Sequence, residues 1–487
     1  MNAKILSLLL VLPMLTFCGT NKVDPEPDPE PGPGPDPEPT PVVVDPKITL
    51  NGEAEISMGF EGGTATISFT ANRDWTVTAT DFLHAEPKSG VASETPVTVT
   101  ITCEANPGTE SRNAVVTITA DTAKETVKVK QGYDVFVNAA QEVKNGDVIL
   151  VTNEKVQAFL ENVHYPERDY SVTHIQDPEY GPTCPGDGRS DKPQEYSIRW
   201  TADESAGDLT LDIREGDGWS RKMSIDKGEC YVNIINLRPN AHYTYKVTGA
   251  SGKEMTAGEF DTKGLVYQVL FKANVRNARD LGGWKTKDGK TVKYRMIYRG
   301  GRLQASTLTS KKGKEDLKAQ GILAQLDLRG HSDVLSKAAL DYMDFCAPVI
   351  EEGYLQMLRD DGPKVKQCFE FIAQCVKDNK PVYYHCSLGR DRTGTISMIL
   401  LGVLGVDEGD ISKEYELTQF APFEWATSGG ETTKMTRRAD YKGAANYIWN
   451  NFVGEGETFA QGMEKYLRSI DVAQETIDEF RSNMLIN

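Results

Sequence analysis

The sequence predicts a multidomain protein: two N-terminal all-β sandwiches, then an α/β domain with a tight cysteine loop between a strand and a helix. Three observations predict this. Short runs alternating apolar and polar residues, separated by turn residues, fill 48–133, and a less regular set follows over 196–247. Beyond residue 265 the texture changes to compact apolar strands and residues repeating at helical spacing. The chain, at 487 residues, also exceeds what one hydrophobic core supports.

The first residues read as a targeting segment rather than as fold. Lys4 supplies positive charge, and residues 5–12 form an apolar stretch too short to span a bilayer. Leu15-Thr16-Phe17-Cys18 resembles a bacterial lipoprotein cleavage box with Cys18 as the acylated residue, although Phe17 stands where a small residue is usual. Plain secretion with a nearby cleavage site is the alternative. Both readings take the mature chain out of the cytoplasm, and the first makes it a membrane-anchored lipoprotein of the cell envelope. Residues 24–46 follow, with proline at nearly alternate positions and seven carboxylates, a composition that gives an extended, solvated stalk. The expected division is therefore 1–18 signal peptide, 19–46 stalk, 47–133 first sandwich, 134–264 second sandwich with an N-terminal extension, and 265–487 α/β domain.

In the first sandwich the alternating runs are 64–69, 97–102, 114–118 and 126–129. Asp74-Trp75-Thr76-Val77, Pro87-Lys88-Ser89-Gly90, Asn106 before Arg112, and Val129-Lys130-Gln131 make this segment resemble the BACON domain of Bacteroidetes surface proteins. That resemblance implies a glycan or mucin ligand, with Trp75 either stacking on sugar or filling the core. In the second, Trp200 on an early strand and Leu237-Arg238-Pro239-Asn240-Ala241-His242-Tyr243-Thr244-Tyr245 resemble a fibronectin type III sandwich, where such a tyrosine fixes a strand corner. A spacer or docking role is expected there.

In the α/β domain, residues 324–328 and 381–384 read as buried strands. Val365, Cys368, Phe369, Ile372 and Val376 mark one helix face after Pro363, and the apolar run 395–406 reads as a core helix. Strand, tight loop and buried helix form a layout suited to cradling phosphate. The loop is His385-Cys386-Ser387-Leu388-Gly389-Arg390-Asp391-Arg392-Thr393-Gly394. A phosphate ester carries charge on three non-bridging oxygens, so its site needs convergent donors of little bulk. The amides from Ser387 through Leu388, Gly389 and Arg390 to Arg392 can supply them at a helix start, with Gly389 permitting the close turn. Arg392 brings a planar fork, and the same field favours the Cys386 thiolate. Thr393 is placed to bond the sulfur as it leaves phosphate. His385 is expected to order the loop from behind.

Cys-x5-Arg with His before it and Thr-Gly after it resembles the signature of the protein-tyrosine phosphatase superfamily. Asn277-Ala278-Arg279-Asp280-Leu281-Gly282-Gly283, Tyr298-Arg299-Gly300-Gly301-Arg302-Leu303 and Leu326-Asp327-Leu328-Arg329 precede it in the order of the bacterial tyrosine/lipid phosphatase family. Ala278 replaces an aromatic of that pattern and Arg390 a lysine. The resemblance implies a phosphatase that hydrolyses phosphotyrosine-type monoesters through a phosphocysteine, with Cys386 as nucleophile, and the targeting segment makes it an exported one. It also implies that Asp391 serves as the proton donor, the alternative being that Asp391 holds the loop. Glu351, Glu352, Asp360 and Asp361 are the other candidate acids, and Arg279, Asp280, Asp327 and Arg329 are read as props around the loop. A phosphoinositide or inositol phosphate is the alternative substrate to a phosphoprotein. A glycan-binding lipoprotein with an inactive phosphatase fold is the reading of another class. No metal or cofactor is expected, since eight dispersed cysteines show no metal-ligand spacing. The formal charge of −17 argues against a nucleic-acid partner. Cys184 and Cys230 lie in one predicted domain and are candidates to pair.

Overall fold

The computed structural model describes residues 44–165, 191–216, 218–271, 275–303, 311–330, 338–421 and 438–487. The expected signal segment, Cys18, most of the expected stalk, Cys184 and the Thr- and Gly-rich stretch around Trp425 lie outside them. The chain divides into two compact units, up to Asp134 and from Val135 onward.

In the first unit, a four-stranded and a five-stranded sheet face one another across a shared apolar core. The long strands alternate as the sequence does: in Arg112–Ala120 every second residue from Ala114 is buried. Trp75 belongs to that core. Its side chain is 4% exposed, it meets Phe69 edge-on at 5.0 Å, and a Cβ on Gly90 would come within 2.3 Å of its ring. Of its two expected roles, core filling is the one this geometry supports. Asn106, Arg112 and Gln131 also have structural work. Arg112 Nε donates to Gln131 Oε1, Gln131 Nε2 donates to the Glu104 carbonyl, and Asn106 Nδ2 donates to the carbonyls of Glu110 and Gly132. Together they satisfy loop carbonyls at one end of the sandwich that would otherwise lack donors.

The second unit holds both the other sandwich and the α/β fold. A three-stranded and a five-stranded sheet enclose a core that includes Trp200, Ile213, Tyr243 and Phe260. The Tyr243 hydroxyl accepts from Arg238 N at 2.8 Å, the corner contact that its spacing after Pro239 predicts. The α/β sheet runs in the order Arg279–Asp280, Ile297–Gly300, Val382–His385, Ala324–Asp327, Asp344–Cys346, parallel except for the first pair. It is covered on both faces, as parallel strands require. Ile297, Val382 and Tyr384 face the larger core, while Tyr298 and Tyr383 face a smaller one with Tyr267, Phe271 and Leu317.

The larger core holds more than residues beyond 265. Helix α1 (Glu154–Asn162), capped by Asn153, sends Val156, Phe159 and Leu160 into it. Phe159 packs edge-on against Phe420 at 5.6 Å. This helix falls between the Val148–Leu150 and Tyr196–Arg199 strands of the second sandwich, yet it completes the larger core of the α/β fold. The sandwich itself is pinned by ions: Glu215 pairs with Arg238 and Arg295, and Arg295 lies over the Trp219 ring at 4.3 Å. Burial would push the Glu215 carboxyl up, but Arg295 and Arg238 outweigh it and hold the carboxyl below its usual range.

Among the other helices, α2 (Lys311–Ala319) precedes the Ala324–Asp327 strand, and α3 (Tyr354–Asp360) and α4 (Gly362–Lys377) follow one another, with Pro363 in the first turn of α4. The five α4 residues read as its apolar face are all buried. Helix α5 (Asp391–Leu404) buries every residue from Thr393 to Leu404 and ends at Gly405, whose φ of +85° suits the left-handed cap. It follows the Val382–His385 strand after five residues, so strand, loop and buried helix stand in the expected order. Among the described residues no helix is long and apolar enough to cross a membrane.

Candidate active site

The site lies between the Val382–His385 strand and α5, and its geometry is set mostly from behind the loop. Cys386 is 1% exposed. Burial alone would raise its thiol pKa, but the Thr393 hydroxyl, the Arg392 guanidinium and the Thr393 amide outweigh it, so the thiol is held below its ordinary value. The Thr393 Oγ1 is fully buried and has no other partner among the described residues. Helix α5 opens at Arg390 without a side-chain cap, and the positive end of its backbone faces the loop.

The loop carbonyls are turned away from that opening. Asn277, at a φ of +60°, donates from Nδ2 to the carbonyls of Leu388 (3.2 Å) and Gly389 (3.0 Å) and to Thr418 Oγ1. Arg299 Nη2 donates to the same Gly389 carbonyl. Since carbonyl and amide on a tight loop project to opposite sides, carbonyls fixed at the back orient the amides to the front. Gly389 is required here twice over. Its φ is +73°, and an added Cβ would come within 2.5 Å of the Gly300 carbonyl group.

Behind Asn277 and Arg299 lies a buried ion triad. Glu414 accepts from Arg279 Nε at 2.6 Å and Nη2 at 2.9 Å, and from Arg299 Nη1 at 2.6 Å, with all three side chains at most 4% exposed. Arg279 also donates to Asn277 Oδ1. Asp191 Oδ2 accepts from the Asn277 backbone amide at 2.6 Å, so a residue from the N-terminal extension also supports the cysteine loop. Of the expected props, Asp327 takes Arg329 in two hydrogen bonds, and Asp280 accepts the amides of Gly282 and Arg295. Burial pushes the Asp280 carboxyl up to about 7 despite those donors. All four props are buried.

His385 is a neutral strut. Burial pushes its imidazole down to about 4. Gln325 Oε1 accepts from Ala339 N at 2.6 Å, which turns the Gln325 Nε2 toward His385 Nε2 at 2.9 Å. An amide nitrogen only donates, so Nε2 of the ring accepts and the proton sits on Nδ1, 3.1 Å from the Cys386 carbonyl.

The remaining expected residues divide. Arg392 is half-buried and donates from Nη1 to the Ile350 carbonyl at 2.8 Å, which ties it to the strip before α3. On that strip Glu351 and Glu352 are exposed, and a Cβ on Gly353 would come within 2.9 Å of the Arg392 amide. Asp360 pairs with Arg359 and Asp361 with Lys364, at the far end of α3. The Ser387 carbonyl accepts from Arg302 N, whose side chain is exposed. Leu388 and Gly389 are held at the back as described. Arg390 differs from the substrate-facing residue that the sequence suggests: its side chain is 4% exposed and its Nε donates to Asp391 Oδ1 at 2.9 Å. Sequence reasoning gave no role to Glu414, Asp191, Gln325 or Tyr354. Tyr354 donates to Asp391 Oδ1 at 2.7 Å, and nothing in its sequence neighbourhood distinguishes it from a core aromatic.

Comparison with known proteins finds similarity in two parts of the chain. Residues 272–486 match the family model described as "Tyrosine phosphatase family", and residues 73–132 match BACON, described as "Putative binding domain, N-terminal". A "Putative tyrosine-protein phosphatase" of Cupriavidus necator is 27% identical over 165 residues, covering 29% of this chain and 59% of that protein. A "Tyrosine-protein phosphatase" of Nostoc commune is 28% identical over 150 residues, covering 27% of this chain and 47% of that protein. The chain thus spans about half the length of the curated relatives it matches. Among solved structures, a Bacteroides ovatus GH5 xyloglucanase in complex with a XXXG heptasaccharide aligns at 20% identity over 23% of this chain and 28% of that one, with a TM-score of 0.17. Residues 272–486 are thus similar to the tyrosine phosphatase family, and residues 73–132, earlier in the chain, to BACON domains.

Proposed function

We propose that the protein is a cysteine-dependent phosphatase that hydrolyses phosphotyrosine-type monoesters through a phosphocysteine at Cys386. One observation carries the reading: a buried thiol, held low by Thr393 and Arg392, lies at the uncapped start of α5, inside a loop whose carbonyls are bound from behind. In the first step the Cys386 thiolate attacks phosphorus, the S–P bond forms, and the P–O bond to the alcohol breaks. The alcohol oxygen takes that electron pair and a proton from Asp391. Water then gives a proton to Asp391 and attacks phosphorus, releasing inorganic phosphate and the thiolate. The inward amides and Arg392 stabilise the equatorial oxygens in both steps.

The test is phosphate release by the full chain in EDTA from a phosphotyrosine peptide, phytate and short-chain phosphoinositides. Acid quenching should trap a phosphorylated enzyme whose label maps to Cys386. Preference for the peptide supports the phosphotyrosine reading, and preference for phytate or the lipids transfers it to inositol phosphates. Failure to trap label on Cys386 during turnover overturns the mechanism.

We further propose export and anchoring through an acylated Cys18, on the strength of the apolar segment 5–12 and the proline-acidic stalk beyond it. The full chain expressed in a bacterium should partition into detergent and lose that behaviour in Cys18→Ala. Equal partitioning of the two would sink the lipoprotein reading.

A further inference from the structure

The Asp391 carboxylate is bound unevenly, and the unevenness has a source in the fold. Its Oδ1 accepts from the Tyr354 hydroxyl at 2.7 Å and from Arg390 Nε at 2.9 Å. Its Oδ2 has only a 3.4 Å contact from Arg390 Nη2 among the described residues, and the side chain is 23% exposed. An oxygen already accepting two strong hydrogen bonds is a poor place for a proton, so the exchangeable proton of Asp391 belongs on Oδ2.

Tyr354 is held for this contact at some local cost. It has a φ of +58°, in the region that side chains other than glycine seldom adopt, at the first residue of α3. Its amide donates to Thr395 Oγ1 at 2.8 Å, and Thr395 Oγ1 donates in turn to the Asp391 carbonyl at 3.0 Å. The Tyr354 backbone is thereby tied to the first turn of α5. Its hydroxyl spends its one proton on Asp391 and so accepts from the Tyr415 hydroxyl, 2.9 Å away. Burial keeps the Tyr354 phenol far above its usual titration range, so it remains a donor throughout the working pH range.

We propose that Tyr354, with Arg390, is a positioning residue that saturates Asp391 Oδ1 and leaves Oδ2 as the oxygen that hands a proton to the leaving alcohol. The inference rests on the reading of Asp391 as general acid. It gives Arg390 a role within the loop distinct from substrate contact, and it assigns Tyr354 a part in catalysis through another residue.

The experiment compares kcat/KM for p-nitrophenyl phosphate, whose leaving group needs no proton, with that for phenyl phosphate, whose leaving group does. Asp391→Asn should cut the phenyl phosphate value by ~100-fold or more while changing the p-nitrophenyl value only a few-fold. Tyr354→Phe, which keeps the ring and removes only the hydroxyl, should show the same selective loss at about tenfold, and should add little in the Asp391→Asn background. Arg390→Gln is the second variant and should give the same selective pattern. Equal losses on both substrates for Tyr354→Phe and Arg390→Gln, beside a selective loss for Asp391→Asn, overturn the inference and leave the acid assignment standing. A uniform loss for Asp391→Asn overturns both, and the selective loss is then sought in Glu351→Gln and Glu352→Gln.

Discussion

Cys386→Ser should fold as the parent does and lose phosphatase activity by roughly 10⁴- to 10⁶-fold, the scale of removing a covalent nucleophile. The loss is large because the site offers serine no help. A hydroxyl needs a base, and the adjacent His385 faces Gln325 through Nε2 and the Cys386 carbonyl through Nδ1, so it has no lone pair to offer. The thiol needs none, since Thr393 and Arg392 already favour its anion. The sign of the pH effect follows. A lowered thiol pKa means that iodoacetamide inactivation of the parent should reach its plateau below the pH at which free thiols ionise. Thr393→Ala should move that midpoint upward. Parent-like turnover by Cys386→Ser, or an inactivation midpoint at or above the free-thiol range, would contradict the assignment.

Glu414→Gln is expected to have the largest effect on stability. The glutamate is the shared anion of two buried guanidiniums, and neither Arg279 nor Arg299 reaches solvent in its absence. Burial, and next the charge of Arg299, already pull the Arg279 pKa down, and Glu414 is the main opposing influence. Removing one partner of a buried ion network costs about 3–5 kcal/mol, because the remaining charges stay buried and unpaired. The denaturant midpoint of the second unit should fall accordingly. Tryptophan fluorescence can follow it, since five of the six tryptophans lie beyond Asp134. Activity should fall too at temperatures where the variant is folded, because Arg299 also holds the Gly389 carbonyl. A loss under about 1 kcal/mol would mean that the triad is not what holds the two arginines.

Much of the fold is written locally. Residues 114–118 alternate because each second side chain enters a sandwich core, and Val365, Cys368, Phe369, Ile372 and Val376 recur because one helix face is buried. The cysteine loop is legible for the same reason: strand, turn and helix start are contiguous, so nucleophile, Gly389 and Arg392 sit at fixed spacing. Readings that turned on one side chain's surroundings were not decided this way. Trp75 fits both a sugar platform and a core until Phe69 and Gly90 close over it.

By itself, then, the sequence determined the order of domains, the sandwich and α/β patterns, and the loop with its cysteine, threonine and arginine. Only the tertiary structure decided what stands behind that loop. Glu414 lies 135 residues from Arg279, Asp191 86 residues from Asn277, and Tyr354 37 residues from Asp391. It also decided that α1 packs into the larger core of the α/β fold and that Arg390 turns inward to a carboxylate. The physical reason is that periodicity and turn chemistry act between neighbours in the chain. A buried charge or hydroxyl instead takes whichever partner the packed core brings within about 3 Å, wherever that partner lies in the sequence.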